Sequence, residues 1–202
     1  MYRVIKRFLD FIISFMAICG LSWLLIIIAL IIKLEDGGNI LFKQKRIGLN
    51  KKEFYIYKFR TMKTTTPKDV PTHLLENPDS YITAIGKFLR KSSMDELPQL
   101  FNILKGEMSL VGPRPALWNQ FDLIAERDKY GANNVVPGLT GWAQVNGRDE
   151  LPITVKSKYD GEYVNKMSLL FDIYIIIKTV VSVFKADGVV EGSNESNTDR
   201  KK

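Results

Sequence analysis

The sequence predicts an α+β protein, mostly helical, in which an N-terminal membrane helix precedes a small β-hairpin and a helical domain. Three observations carry that expectation. Phe11 to Ile32 is an uncharged apolar run of 22 residues. Two short aromatic and β-branched runs, ILFKQKRIG and EFYIYKF, flank the tetrapeptide LNKK. Downstream, apolar residues recur at helical spacing in several separate stretches.

With 202 residues there is room for one ordinary domain plus a membrane element. The chain is 46% hydrophobic and 25% charged, an average that conceals an apolar N-terminus joined to a soluble remainder. This divides it into a membrane segment over 1–34, a cytoplasmic domain over 35–187 and a disordered tail over 188–202. The net charge of +7 favours anionic partners: nucleic acid, phosphorylated small molecules or an anionic membrane face. Cys19 is the single cysteine, which excludes an intrachain disulfide and a cysteine-based zinc site and fits a reducing, cytoplasmic setting. His73, the single histidine, lies in a polar loop without partners for metal or triad chemistry, and no role is assigned to it.

As one helix the apolar run would be roughly 33 Å long, enough to cross a bilayer core. Yet Arg3, Lys6 and Arg7 precede it and Lys33, Lys43, Lys45 and Arg46 follow it, so both ends favour the cytoplasmic side. A re-entrant hairpin satisfies both ends, with a break at Gly20 and Ser22 and two halves each reaching roughly 15 Å. The residues alone leave the spanning and re-entrant forms open.

Asp36 to Asn39 is a turn cluster, and the two runs after it read as a β-hairpin. Alternation places Lys58 on the same face as Phe54 and Ile56, either packing its stem there or projecting an ammonium towards a phosphate. Thr64 to Ser80 has three prolines and reads as an exposed loop. From Ile82, apolar residues at helical spacing face one way while Lys87, Arg90 and Lys91 face the other, and Arg90 lies close enough to face Asp95.

Ser93-Met94-Asp95-Glu96 matches a capping box, with Leu97, Leu100, Phe101 and Leu104 as the apolar stripe of the following helix. Pro98 fits that cap poorly, so the residues leave two starts open for the helix, at Ser93 or one turn later. Carboxylates in a first turn ordinarily stabilise the helix dipole. A carboxylate can also attack phosphorus, provided cations offset the charge of an anionic electrophile. Arg114, stiffened by Pro113 and Pro115, suits bidentate phosphate binding, although a surface turn with an incidental Arg has the same sequence.

Ala116 to Tyr130 reads as an amphipathic helix with Leu117, Phe121 and Ile124 along one side. VVPGLTGWAQVNGRDELP is a turn-rich loop that either contacts a nucleotide or is structural. In the run from Ser168 to Lys185, the polar residues Ser168, Asp172, Thr179, Ser182 and Lys185 line one narrow face. Leu169, Ile173, Ile176, Val180 and Val183 form a wide apolar face for a core or a membrane interface.

KQKRIG, YKFRTM, SSMDELPQLFNILKGEMSLVGPRP and VPGLTGWAQVNGR, in this order and spacing, resemble the small monotopic phosphoglycosyl transferases of the bacterial sugar transferase family. The resemblance runs from KRFLDF to SLLFDIYIIIKT. It implies transfer of a sugar 1-phosphate from a UDP-sugar to a polyprenyl phosphate, typically undecaprenyl phosphate, at the cytoplasmic face of the bacterial inner membrane. It implies Asp95 as the nucleophile that forms a phosphosugar intermediate, Glu96 as its partner, and Mg²⁺ near Asp95. Lys58, Arg90 and Arg114 become candidate phosphate ligands, and Gln144, Asn146 and Arg148 candidate nucleotide contacts. The re-entrant hairpin also follows, although members commonly have Ser-Pro at the break where this chain has Ser22-Trp23. By analogy with the minimal catalytic form the sugar is expected to be an N-acetylated amino sugar, a hexose being the alternative. Membrane lipid and downstream glycosyltransferases complete the expected partners. A competing expectation is a non-catalytic, membrane-tethered module that holds an acidic partner; nucleic acid is not expected, because aromatic and basic residues are not interleaved as in a nucleic-acid groove.

Overall fold

In a computed structural model, described over residues 2–66, 78–147 and 151–185, the chain is mostly helical with two small sheets. Helix α1 (Tyr2–Asp36) is long and apolar enough to cross a membrane. Its helical bonding continues through Gly20 and Ser22, where the sequence places a break. The Ser22 hydroxyl donates to the Cys19 carbonyl at 2.9 Å, a back-bond of the kind that bends helices without ending them.

One stripe of α1 faces the domain along its whole length. Near its start Lys6, Asp10 and Ser14 are buried; Ala17 and Ile18 then pack on Ile56, Leu100, Ile103 and Met108. Further on, Ile28 and Ile32 join Phe59 and Leu89. These positions recur every three or four residues, so a single helix face suffices. The opposite face leaves Phe8, Phe11, Phe15, Met16, Trp23, Ile26, Ile27, Leu30 and Leu34 exposed.

Strands β1 (Leu41–Ile47) and β2 (Glu53–Phe59) form the expected antiparallel hairpin. Helix α2 (Ala84–Lys91) is capped by the Thr83 hydroxyl, which accepts from Gly86 N at 3.0 Å. A Cβ on Gly86 would stand 2.2 Å from the Thr61 carbonyl oxygen, so glycine is what lets α2 rest on that strand extension. Helix α3 (Gln99–Lys105) ends at Gly106, whose φ of 85° is left-handed. Arg7 of α1 donates to its last carbonyls, Ile103 at 2.6 Å and Leu104 at 2.7 Å.

The turn-rich C-terminal third folds into more regular structure than its sequence suggests. β3 (Ser109–Val111) pairs in parallel with β4 (Gly138–Thr140). Around them lie α4 (Phe121–Asp128), α5 (Trp142–Val145), α6 (Ile153–Lys166) and α7 (Leu169–Lys185). The helix expected over 116–130 is confined to α4, and its inward residues are Leu123 and Arg127, while Phe121 is exposed. In α7 the polar face turns inward with Asp172 and Thr179, and Leu170, Ile173, Ile177 and Val180 lie outside. The apolar face of this helix is therefore not core.

A buried polar cluster joins the two ends of the chain. Asp172 Oδ2 accepts from Tyr2 Oη at 2.6 Å and from Lys6 Nζ at 2.5 Å, and its Oδ1 accepts from Tyr163 Oη at 2.8 Å. Tyr163 also donates to the Val111 carbonyl at 3.0 Å, and Asp10 Oδ1 accepts from Leu110 N at 3.1 Å. Helices α1 and α7 are thereby both tied to β3. His73, Arg148 and the tail from Gly188 lie outside the described residues.

Candidate active site

The local structure at Asp95-Glu96 departs from a capping box. Ser93 is left-handed, with φ 56°, and its side chain caps nothing. Met94–Glu96 form a single 3₁₀ turn, and α3 begins only at Gln99, with Pro98 at the N-cap position. Of the two starts that the sequence leaves open, the later one is observed. Freed from capping, the Glu96 side chain turns towards two cations. The stripe also shifts: Leu100 and Ile103 are buried, whereas Phe101 is exposed.

Strand β2 delivers Lys58. The buried Asn102 of α3 accepts from Tyr57 N at 3.0 Å and donates to the Tyr55 carbonyl at 2.7 Å, fixing the strand just before Lys58. The Lys58 ammonium donates to Glu96 Oε1 at 2.7 Å and lies 3.9 Å from Asp95 Oδ2. The ammonium is thus turned onto the carboxylate pair, with the Lys58 side chain largely buried. Arg114 reaches the same carboxylate through Nη2 to Oε1 at 2.8 Å and Nη1 to Oε2 at 3.4 Å. Arg90 donates from Nε to Thr61 Oγ1 at 2.9 Å, and its charge acts favourably on Asp95.

The two carboxylates are treated in opposite ways. Burial would raise Glu96, but Arg114 and then Lys58 outweigh it and hold the group well below the usual carboxylate range. Burial raises Asp95, only partly opposed by Lys58, and the Glu96 charge adds to the rise. Asp95 accepts no hydrogen bond among the described residues, and 13% of its side chain is exposed. Glu96 is therefore an anchored anion. Asp95 is a largely buried carboxylate, with Lys58 at 3.9 Å and no hydrogen bond among the described residues.

Gln144 and Asn146 stay with their own turn. Gln144 Nε2 donates to the Leu139 carbonyl at 3.1 Å, and Asn146 Nδ2 donates to the Trp142 carbonyl at 2.7 Å. Sequence reasoning missed Asn102 and also Arg127, which donates to the Arg114 carbonyl. Neither has a local signal, since their partners lie in distant elements.

A family model described as bacterial sugar transferase matches residues 1–186. The uncharacterized sugar transferase EpsL of Bacillus subtilis (strain 168) is 40% identical over 187 residues, covering 92% of this chain and 90% of the relative. A UDP-glucose:undecaprenyl-phosphate glucose-1-phosphate transferase of Xanthomonas campestris pv. campestris is 42% identical over 189 residues, covering 90% of this chain but 39% of its own length. An Aeromonas hydrophila UDP-N-acetylgalactosamine-undecaprenyl-phosphate N-acetylgalactosaminephosphotransferase is 38% identical over 194 residues, covering 93% of this chain and 45% of the relative. The chain thus spans less than half of these two longer relatives. It belongs to the bacterial sugar transferase family and is an enzyme.

Proposed function

We propose that this bacterial sugar transferase moves a sugar 1-phosphate from a UDP-sugar to undecaprenyl phosphate through a covalent intermediate on Asp95. The observation that carries the reading is the unequal state of the two carboxylates: Glu96 accepts from Lys58 and Arg114, whereas Asp95, beside the same cations, accepts no hydrogen bond among the described residues. One Asp95 oxygen attacks the β-phosphorus of the UDP-sugar as the bond to the bridging oxygen breaks. UMP leaves with that electron pair, and the sugar phosphate remains as an acyl phosphate on Asp95. A phosphate oxygen of undecaprenyl phosphate then attacks the same phosphorus, forming undecaprenyl-diphosphate-sugar and restoring the carboxylate. Lys58, Arg90 and Arg114 offset the charge that builds up on the transferred phosphoryl oxygens.

The donor set fits Mg²⁺. Among the described residues no group of three or more His, Cys, Asp or Glu could cage a metal, and Mg²⁺ is commonly held by one or two carboxylates plus substrate phosphates. Asp95 would hold it together with the diphosphate, where bound Mg²⁺ would reduce the repulsion between nucleophile and substrate. Gln144, Asn146 and Arg148 are proposed to border the nucleotide.

The exposed apolar faces of α1 and α7 support seating in the cytoplasmic membrane. A helix packed lengthwise on its domain cannot cross a bilayer upright without drawing that domain into the hydrocarbon. Together with basic residues at both ends, this favours an element that dips into the membrane and keeps both ends and the domain at the cytoplasmic face, bending at the Ser22 back-bond rather than breaking there. The product would then feed downstream glycosyltransferases as the first membrane step of glycoconjugate assembly. An N-acetylated amino sugar is the proposed donor group, in line with the Aeromonas relative; the Xanthomonas relative favours glucose as the second reading.

Purified enzyme in lipid nanodiscs with Mg²⁺ and undecaprenyl phosphate should release UMP from one member of a UDP-sugar panel. Asp95→Asn should lower that rate by roughly 10³-fold or more. Without acceptor, label from the sugar phosphate should stay on wild-type protein alone; full activity in Asp95→Asn would remove it as nucleophile.

A further inference from the structure

Arg114 stands on a backbone with few donors of its own, because Pro113 and Pro115 have no N–H. The segment is held through its carbonyls instead. Pro113 O accepts from Gly138 N at 2.9 Å, and Arg114 O from Arg127 Nη1 at 2.9 Å. Pro115 O accepts from Arg46 Nη1 at 3.0 Å, and Ala116 O from Ile47 N at 2.9 Å. Four consecutive carbonyls are thus tied to β4, α4 and β1.

Arg127 differs from the other three donors in being a buried charge, 4% exposed. Its Nε donates to Asp160 Oδ2 at 2.8 Å, and its Nη2 lies 2.6 Å from the same oxygen. Asp160, on α6, is 1% exposed. A buried ion pair is weak as a stabiliser, since desolvation takes back most of the Coulomb gain and an apolar pair of the same volume serves as well. What this pair supplies is direction. A guanidinium presents donors along separate edges of one plane, so it can hold Asp160 by one edge and a carbonyl by another; a lysine ammonium cannot span both.

We propose that Arg127 and Asp160 are positioning residues for Arg114. Asp160 fixes the guanidinium plane of Arg127, Arg127 fixes the Arg114 carbonyl, and the Arg114 side chain is thereby aimed at Glu96 and at the substrate diphosphate. Neither Arg127 nor Asp160 touches the reacting atoms. The inference rests on the transfer reaction proposed above.

The test is a double-mutant cycle on UMP release with Arg127→Lys, Arg114→Ala and both together. Arg127→Lys should lower kcat/KM by roughly ten- to a hundredfold, as a misplacement of order 1 Å does. In the Arg114→Ala background the same change should alter it less than about twofold. Equal losses in both backgrounds, or no loss with Arg114 intact, would overturn the proposal. Should Arg127→Lys fold poorly, Arg127→Met combined with Asp160→Leu removes both charges and keeps an apolar contact between α4 and α6. That double variant should fold and show the same loss; wild-type kcat/KM in it would also overturn the proposal. Failure of wild-type enzyme to release UMP from any UDP-sugar would instead refute the reaction itself, leaving the two failures distinguishable.

Discussion

The charge cluster at the candidate active site and the cluster beneath α1 are built from similar parts. Each sets a lysine against two carboxylates in a largely buried setting, and each draws on remote stretches of chain. At α1 the pairing is closed: Asp172 takes three donors, and Asp10 takes a backbone N–H. At the site it is lopsided, because Glu96 takes both cations and Asp95 takes no hydrogen bond among the described residues. Closed clusters define where helices sit. A lopsided one keeps a reactive oxygen available and carries the electrostatic cost of doing so.

The comparison can be broken most forcefully at Asp172. Asp172→Asn should lower unfolding free energy by about 3 kcal/mol, because it takes from the buried Lys6 charge the nearer of its two carboxylates and leaves only Asp10, at 4.0 Å. Thermal unfolding in detergent would show this, and an unchanged midpoint would mean that the cluster is not a staple. Glu96→Gln should cost less, roughly 2 kcal/mol, the worth of hydrogen bonds between charged groups. Its pH dependence has a definite sign. Since Glu96 is held below its ordinary value of 4.5, its contribution is fully present above that pH and fades only as acid reaches its lower folded value.

The smallest effect runs the other way. Asp95 is raised above its ordinary 3.8, so ionising it opposes folding. Metal-free Asp95→Asn should therefore be slightly more stable than wild type above the folded value, visible as a small rise in the thermal midpoint. The gain should vanish as pH falls to 3.8. A destabilised Asp95→Asn at neutral pH would make the two clusters alike after all.

Much of this was legible in the residues. The apolar length of α1, the alternation of the hairpin and the two prolines around Arg114 are local signals, and each gave an element or side chain in its observed place. The second sheet was not legible, because three-residue strands paired in parallel across a long connection leave no period to read. Helix α6 was missed for another reason: its buried face is Ser157, Asp160, Gly161 and Tyr163, so a search for apolar spacing finds little. The capping box failed because Pro98 delays α3 and the cations claim Glu96. Gln144 and Asn146 each donate within their own turn, a local use that polarity alone could not reveal, while Gln144 Oε1 is buried with no hydrogen-bond partner among the described residues.

The ties from Tyr2 and Lys6 to Asp172 span 170 and 166 positions of sequence. During synthesis, α1 leaves the ribosome long before α7 exists. For that interval the helix presents Lys6, Asp10 and Ser14 with no counterpart from α7, alongside a face apolar enough to enter lipid. The outer face of the nascent helix is thus finished while its inner face is still open, and α7 closes it. A chain cut short before Asp172 keeps the apolar outer face of α1 but cannot complete the polar seam on its inner face.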